Sequence, residues 1–234
     1  MTDGEVVEPA DSTRRGWPTL LPATPLQWMS LVLSLLILAG AAGYFLGTRG
    51  DDPPARDTVE VGFLYDMLIH HEQGQRLANA ELIRGAEPAV ETFAREILLF
   101  QSYEIGLMEQ KLAEWGYARD DRPAKAMEWM GMATSVAAMP GMASIAELET
   151  LERAQGRDVD ALFVRLMQDH HRGAVHMASY AAERADDPFV RKLAGLIARN
   201  QRIEVRELEI VRERTGLPGA PSGYQPADIP TPAE

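Results

Sequence analysis

Two histidine pairs, His70-His71 and His170-His171, stand one hundred residues apart, each preceded by methionine (Met67, Met167) and, further back, by phenylalanine (Phe63, Phe163). His176 follows the second pair, so all five imidazoles of the chain lie in or just beyond these segments. Residues three or four apart on a helix project to one face, which brings Met67 to His70 and His71, and Met167 to His170 and His171. Thioether and imidazole together suit soft or borderline ions, above all copper. A di-iron carboxylate centre would need Glu-x-x-His, and methionine stands where that glutamate would be. The plainer alternative is that Met67 and Met167 only fill core space, as methionine often does.

A second group of soft donors, Met127, Met130, Met132, Met139 and Met142, occupies a short stretch between the two histidine segments. Thioethers suit Cu(I); the same residues would also make an apolar lid. Catalytic signatures are missing: the sequence has no nucleophile elbow, no phosphate-binding glycine loop and no His-Glu-x-x-His helix. No catalytic residue is assigned.

These donors need helices to hold them. Apolar residues at helical spacing predict four long helices at about 57–84, 88–115, 158–185 and 188–214. Asp187-Pro188 is a start signal, and Gly116 and Gly216 fall where helices stop. Short turns join the first two helices and the last two into antiparallel hairpins, spanning 57–116 and 158–216. The crossover 117–157 carries the methionine cluster and a short helix at about 143–155. On the first helix, Phe63, Asp66, Met67, His70, Gly74 and Leu77 share the apolar sector; on the third, Phe163, Met167, His170, Ala174 and Met177 do. His71 and His171 fall toward its edge, His176 to one side, and Asp169 reads as a helix-surface acid. The second and fourth helices bring Gln101 with Glu104, and Gln201 with Glu204, to their apolar faces. A carboxylate placed there needs a partner or a cation, so His70 is expected to meet Glu104 and His170 to meet Glu204. Structural pairing and metal binding both satisfy that pattern.

Leu26 to Leu46 gives about 21 residues without a charge, enough to cross a hydrocarbon core of ~30 Å. It reads as one transmembrane anchor over 26–47; a cleavable signal is the alternative, although its apolar run is normally ~7 to 15 residues. Arginines flank the span on both sides, so charge does not orient it. A short leader inside and a long domain outside, at the cell membrane, is the arrangement adopted. Gly43 and Gly47 offer a small-xxx-small pair that would bring two copies together as a homodimer. Residues 1–25 read as a disordered leader, 48–56 as a linker, and 218–234 as a disordered Pro-rich tail.

The chain has no cysteine, which removes disulfides and thiolate sites, and its formal charge of -12 argues against nucleic acid as a partner. Cations are the natural ligands.

Taken together, Phe-x3-Met-x2-His-His in both halves, Gln101-x2-Glu104-Ile105, Gln201-x2-Glu204-Val205 and Met139-Pro-Gly-Met142 resemble the family known as domain of unknown function 305, DUF305, over about residues 57–216. The resemblance implies a ferritin-like antiparallel four-helix bundle in an exported or membrane-anchored bacterial protein, some relatives being linked to copper or silver binding and tolerance. Gln73, Gly74 and Leu77 depart from the usual pattern in the first half. The resulting expectation is a membrane-anchored, extracytoplasmic protein that binds copper through His70, His71, His170, His171 and the neighbouring methionines, with the crossover methionines as a secondary cluster, for buffering, tolerance or delivery. A metal oxidase using Asp66, Glu104 and Glu204 with the histidines is one alternative, and a helical interaction module with structural His-Glu pairs another.

Overall fold

The computed structural model describes residues 24–47 and 53–218. The expected leader before residue 24, the linker at 48–52 and the tail from 219 lie outside the described residues. Among the described residues the chain is all-α, with six helices and no strand beyond one isolated bridge between Ala126 and Thr134.

Helix α1, Pro25–Gly47, belongs to the first of two compact units, which divide between Asp52 and Pro53. Pro25–Tyr44 is long and apolar enough to cross a bilayer, and Leu26, Met29 and Leu36 are exposed along it. A membrane anchor and a secretion signal both fit that description.

The second unit contains α2 (Val59–Arg84), α3 (Pro88–Glu114), α4 (Ile145–Arg153), α5 (Arg157–Arg184) and α6 (Pro188–Thr215). These lie within two residues of the spans that periodicity predicts, because the ends carry local signals. Asp187 accepts a hydrogen bond from Val190 N at 2.9 Å with Pro188 in the first turn. Gly216 ends α6 at φ 62°, a left-handed cap that favours glycine. Ser144 and Glu147 form a reciprocal capping box at the start of α4.

Helices α2 and α5 form the centre. In α2, 16 of 26 residues are buried, against six of 27 in α3. Helix α2 packs on α3 and α5, and α5 packs on α6, whereas α3 and α6 meet over only a short stretch. Two matching contacts fix the hairpins antiparallel. Glu60, in the first turn of α2, accepts from Asp186 N and from Asp187 N in the α5–α6 turn; Asp160, in the first turn of α5, accepts from Ala86 N at 2.9 Å in the α2–α3 turn.

The apolar core is in two parts. One joins Val61–Leu68 of α2 to Met108, Leu112, Ala174–Ala185 and Val190–Ala198; the other joins Leu77–Ala80 to Val90–Ile97, Val159–Met167 and Leu208–Val211. Phe63 and Phe163, fully buried, sit in opposite parts, and each contributes about 1.5–3 kcal/mol by burial. Between the two parts lies a buried polar layer of His70, His71, His170, His171, Gln101 and Gln201.

Candidate functional site

All four paired histidines are fully buried, including His71 and His171, which the helical wheel places toward an edge. The correction has a geometric cause: α2 and α5 are enclosed on several sides, so each helix buries two adjacent positions. The first histidine of each pair faces the opposite hairpin and the crossover, while the second faces its own hairpin partner.

The expected His70–Glu104 and His170–Glu204 pairings are therefore displaced by one residue. Nε2 of His71 lies 2.7 Å from Glu104 Oε2, and Nε2 of His171 lies 2.8 Å from Glu204 Oε2. His70 Nε2 donates instead to Pro140 O at 3.0 Å, and His170 Nε2 donates to His70 O at 2.7 Å. The His70 and His170 rings lie against each other, with centroids 3.8 Å apart. Burial drives the His70 imidazole down to about 3, with His71 and His171 adding to the effect, and carries His170 well below its ordinary value. Both rings are neutral at physiological pH. Since Nε2 carries the proton donated to a carbonyl, Nδ1 keeps its lone pair, and Nδ1 of all four histidines is buried without a hydrogen-bond partner. Burial acts to raise the Glu204 carboxyl, but the His171 hydrogen bond and charge outweigh it and hold it below the usual glutamate value.

Among the described residues, no three His, Asp or Glu side chains converge as a ready ligand set. Met67, Met167 and Met177 are fully buried in the apolar clusters. His176 is half-buried, with burial lowering its pKa, and its Nε2 has no hydrogen-bond partner. Asp66 is committed to the crossover: its Oδ2 accepts from Met127 N and from Trp129 Nε1, each at 2.7 Å. Burial pushes the Asp66 carboxyl up to about 6 against the lowering effect of those two bonds. Asp66→Ala should strand both buried donors and cost about 2–4 kcal/mol, seen as a lower Tm and a red-shifted tryptophan emission. An unchanged Tm would mean that the latch contributes nothing.

The crossover runs back over the histidine layer and is fastened to it. Gln73 donates to Ala143 O at 2.9 Å and accepts from Ala143 N at 2.7 Å. Gly141, at φ 79°, lies against the α5 backbone at Asp169 and His170, and Gly173 of α5 leaves the space taken by Pro140. Met139-Pro140-Gly141-Met142 is thereby pinned across α5.

Four of the five crossover methionines, Met127, Met132, Met139 and Met142, line one open cleft of about 660 Å³, with Asp169, Glu147 and Arg165 at its wall. The fifth, Met130, is not among the lining residues; it is buried in the apolar core, to which Met127 and Met139, 1% and 3% exposed, also belong. Met127 is the one non-glycine residue with positive φ among the described residues, at 61°, a conformation that costs of order 1–3 kcal/mol and persists only where its surroundings impose it. The Asp66 bond to its backbone does so. Asp169, expected on the helix surface, is 7% exposed and paired with Arg172 at 2.8 Å, and burial raises its pKa against the pull of Arg172. Sequence reasoning missed Gln73, Pro140 and Gly173 as positioning residues. A glycine inside a strongly helical pattern, as at 173, was the available signal.

The family model described as Domain of unknown function (DUF305) matches residues 60–212. Among solved structures, the chain is similar to a DUF305 protein from Streptomyces coelicolor at 30% identity, covering 71% of this chain and 99% of that one, with a TM-score of 0.65. A DUF305 fragment from Deinococcus radiodurans is 35% identical over 67% of this chain and 96% of its own, with a TM-score of 0.58. CopM in its Cu(II)-bound form is 25% identical, covering 68% of this chain and 97% of that one, with a TM-score of 0.51; CopM structures with Cu(I) and with silver are also similar. No curated protein matches the chain.

Proposed function

The chain belongs to the DUF305 family, and on that premise we propose that it is a membrane-anchored, extracytoplasmic protein that takes up copper for buffering, tolerance or delivery. The observation that carries this reading is the cleft lined by Met127, Met132, Met139 and Met142. Clustered thioethers with no thiolate in the chain form a donor set for Cu(I) or Ag(I) rather than for hard ions. Similarity to CopM, solved with copper and with silver, supports the same class of cargo. The apolar helix α1 supports the anchor, and the domain is placed outside the cytoplasm as the usual arrangement of a long domain behind a single N-terminal span. We read the two hairpins as a duplicated, ferritin-like bundle. On this account the buried histidine layer acts mainly by holding the Met-Pro-Gly-Met segment at the cleft.

A second reading makes the histidines ligands, and the four unpartnered Nδ1 atoms favour it. The full chain in mild detergent, titrated with Cu(I) against a competing chromophoric chelator, separates the two. Met139→Leu with Met142→Leu should weaken Cu(I) binding tenfold or more with little change in Tm, since leucine conserves volume. Unchanged affinity would sink the cleft as the site, and loss only in His71→Ala with His171→Ala would favour the histidines. No copper binding by the native chain would overturn both.

A further inference from the structure

Nine methionines lie among the described residues of the second unit. Seven of them are no more than 3% exposed, whereas Met132 and Met142 are half-buried. Both of these line the methionine cleft, so its four thioethers divide into a buried pair, Met127 and Met139, and an outer pair that solvent reaches. Susceptibility to oxidation follows that exposure. The backbone carrying the outer pair is held by bonds that involve neither sulfur. Met132 N donates to Met127 O and Met142 N to Met139 O, each at 3.1 Å. Next to them, Thr134 and Ala126 exchange two bonds, at 2.9 and 3.0 Å, and Gln73 clasps both backbone groups of Ala143. A change of chemistry at the outer sulfurs leaves all of these in place.

We propose that Met132 and Met142 form a reversible oxidation site that switches off Cu(I) uptake by the cleft, an inference that rests on the copper reading above. The oxidant is a peroxide, hydrogen peroxide being the simplest. A sulfur lone pair attacks one peroxide oxygen, so that the S–O bond forms as the O–O bond breaks. Sulfur gives up two electrons, the peroxide takes them, and the proton of the transferred hydroxyl goes to the departing hydroxide, which leaves as water. The product is methionine sulfoxide. Its polar oxygen takes the place of a soft thioether lone pair, and the cleft keeps two soft donors out of four. With no cysteine in the chain, no thiol diverts the oxidant. Methionine sulfoxide reductases reverse the step: a dithiol becomes a disulfide and the oxygen leaves as water. The buried pair is spared, and the fold with it.

The full metal-free chain in mild detergent is treated briefly with dilute hydrogen peroxide, cleared of it, and mapped by peptide mass spectrometry. Cu(I) is titrated against the competing chelator before and after. Met132 and Met142 should take up oxygen about ten times faster than any of the seven buried methionines. Cu(I) affinity should fall about tenfold or more, with far-UV circular dichroism and Tm near native, and the two stereospecific sulfoxide reductases together should restore it. Met132→Leu with Met142→Leu should start from the weakened affinity and lose nothing further to peroxide. Even oxidation across the nine methionines, selective oxidation with unchanged affinity, or a loss that accompanies melting of the domain would each overturn the proposal while the copper reading stands. A native chain that binds no Cu(I) before peroxide is added would overturn that reading and the switch with it.

Discussion

A methyl group added at position 173 should unseat the crossover and lower the domain's stability by about 3 kcal/mol, near the upper end of the usual cost of overpacking. A Cβ there would lie 1.9 Å from Pro140 O, 2.3 Å from Pro140 C and 2.8 Å from Gly141 N. These are backbone atoms, held by the His70 and Gln73 hydrogen bonds, so no rotamer change relieves the clash. In a domain of this size, such a loss corresponds to a fall in Tm of about 6–12 °C. Gly74→Ala should cost less, because its Cβ meets the end of the flexible Gln101 side chain. Gly195→Ala is the control: its Cβ would touch only Ala182 Cβ at 3.9 Å, and the gain in helix propensity should leave the domain as stable or up to about 1 kcal/mol more stable. If the cleft binds Cu(I), Gly173→Ala should also weaken that binding below the unfolding temperature, because Met139 and Met142 flank the displaced pair. Gly173→Ala melting with the native protein would refute the close approach.

The four long helices were legible because their own residues encode them: apolar spacing, Pro88 and Pro188 at the starts, and Gly116 and Gly216 at the ends. The partner of each histidine was not. A wheel drawn for one helix assumes one buried face, and α2 and α5 have several, so His71 reaches Glu104 while His70 turns to Pro140. The crossover was the least legible part, because its path is set by contacts between residues more than sixty positions apart. Asp66 holds Met127 and Trp129, and Gln73 holds Ala143. Those same side chains read, in sequence, as a candidate metal ligand and as a departure from the family pattern.

The polar layer shows why such residues persist in a core. Sliding α2 along α5 by one turn would move four buried imidazoles and two buried glutamines into apolar surroundings, each losing what partners it has. Register is therefore fixed by the layer, with the apolar clusters on either side supplying the bulk of the stability. The second histidine of each pair adds a constraint of its own: His71 and His171 tie α3 and α6 to the centre through Glu104 and Glu204. A helix pair so fixed can carry the crossover methionines at a set position without their backbone belonging to any long helix.

Raising the pH from about 6.5 to 8.5 should destabilise the domain, and Glu81→Gln should remove most of that slope. Glu81 is fully buried and neither of its oxygens has a hydrogen-bond partner, while neighbouring Asp160 keeps Oδ2 free and uses Oδ1 for Ala86 N. Burial first, then the charges of Asp160 and Glu91, push the Glu81 carboxyl up to about 8 from an ordinary 4.5. The folded state thus keeps a proton that the unfolded chain has released, and stability falls as pH rises between those two values. Below pH 6.5, His70 and His170 act in the other direction, because their lowered values make the folded state bind fewer protons than the unfolded chain. Asp66, raised to about 6, is about three-quarters ionised at pH 6.5 and adds only a small further loss above it, in the same direction as Glu81. Above 6.5 Glu81 dominates, and at about 1.4 kcal/mol per pH unit the loss up to its folded value is on the order of 2 kcal/mol, or a fall of about 4–8 °C in Tm. Glutamine keeps the shape and an N–H that can face Asp160 but has nothing to ionise. Thermal melts at pH 6.5, 7.5 and 8.5 should therefore decline for the native protein and stay nearly level for Glu81→Gln, and equal slopes in the two would show that the buried proton is not on Glu81.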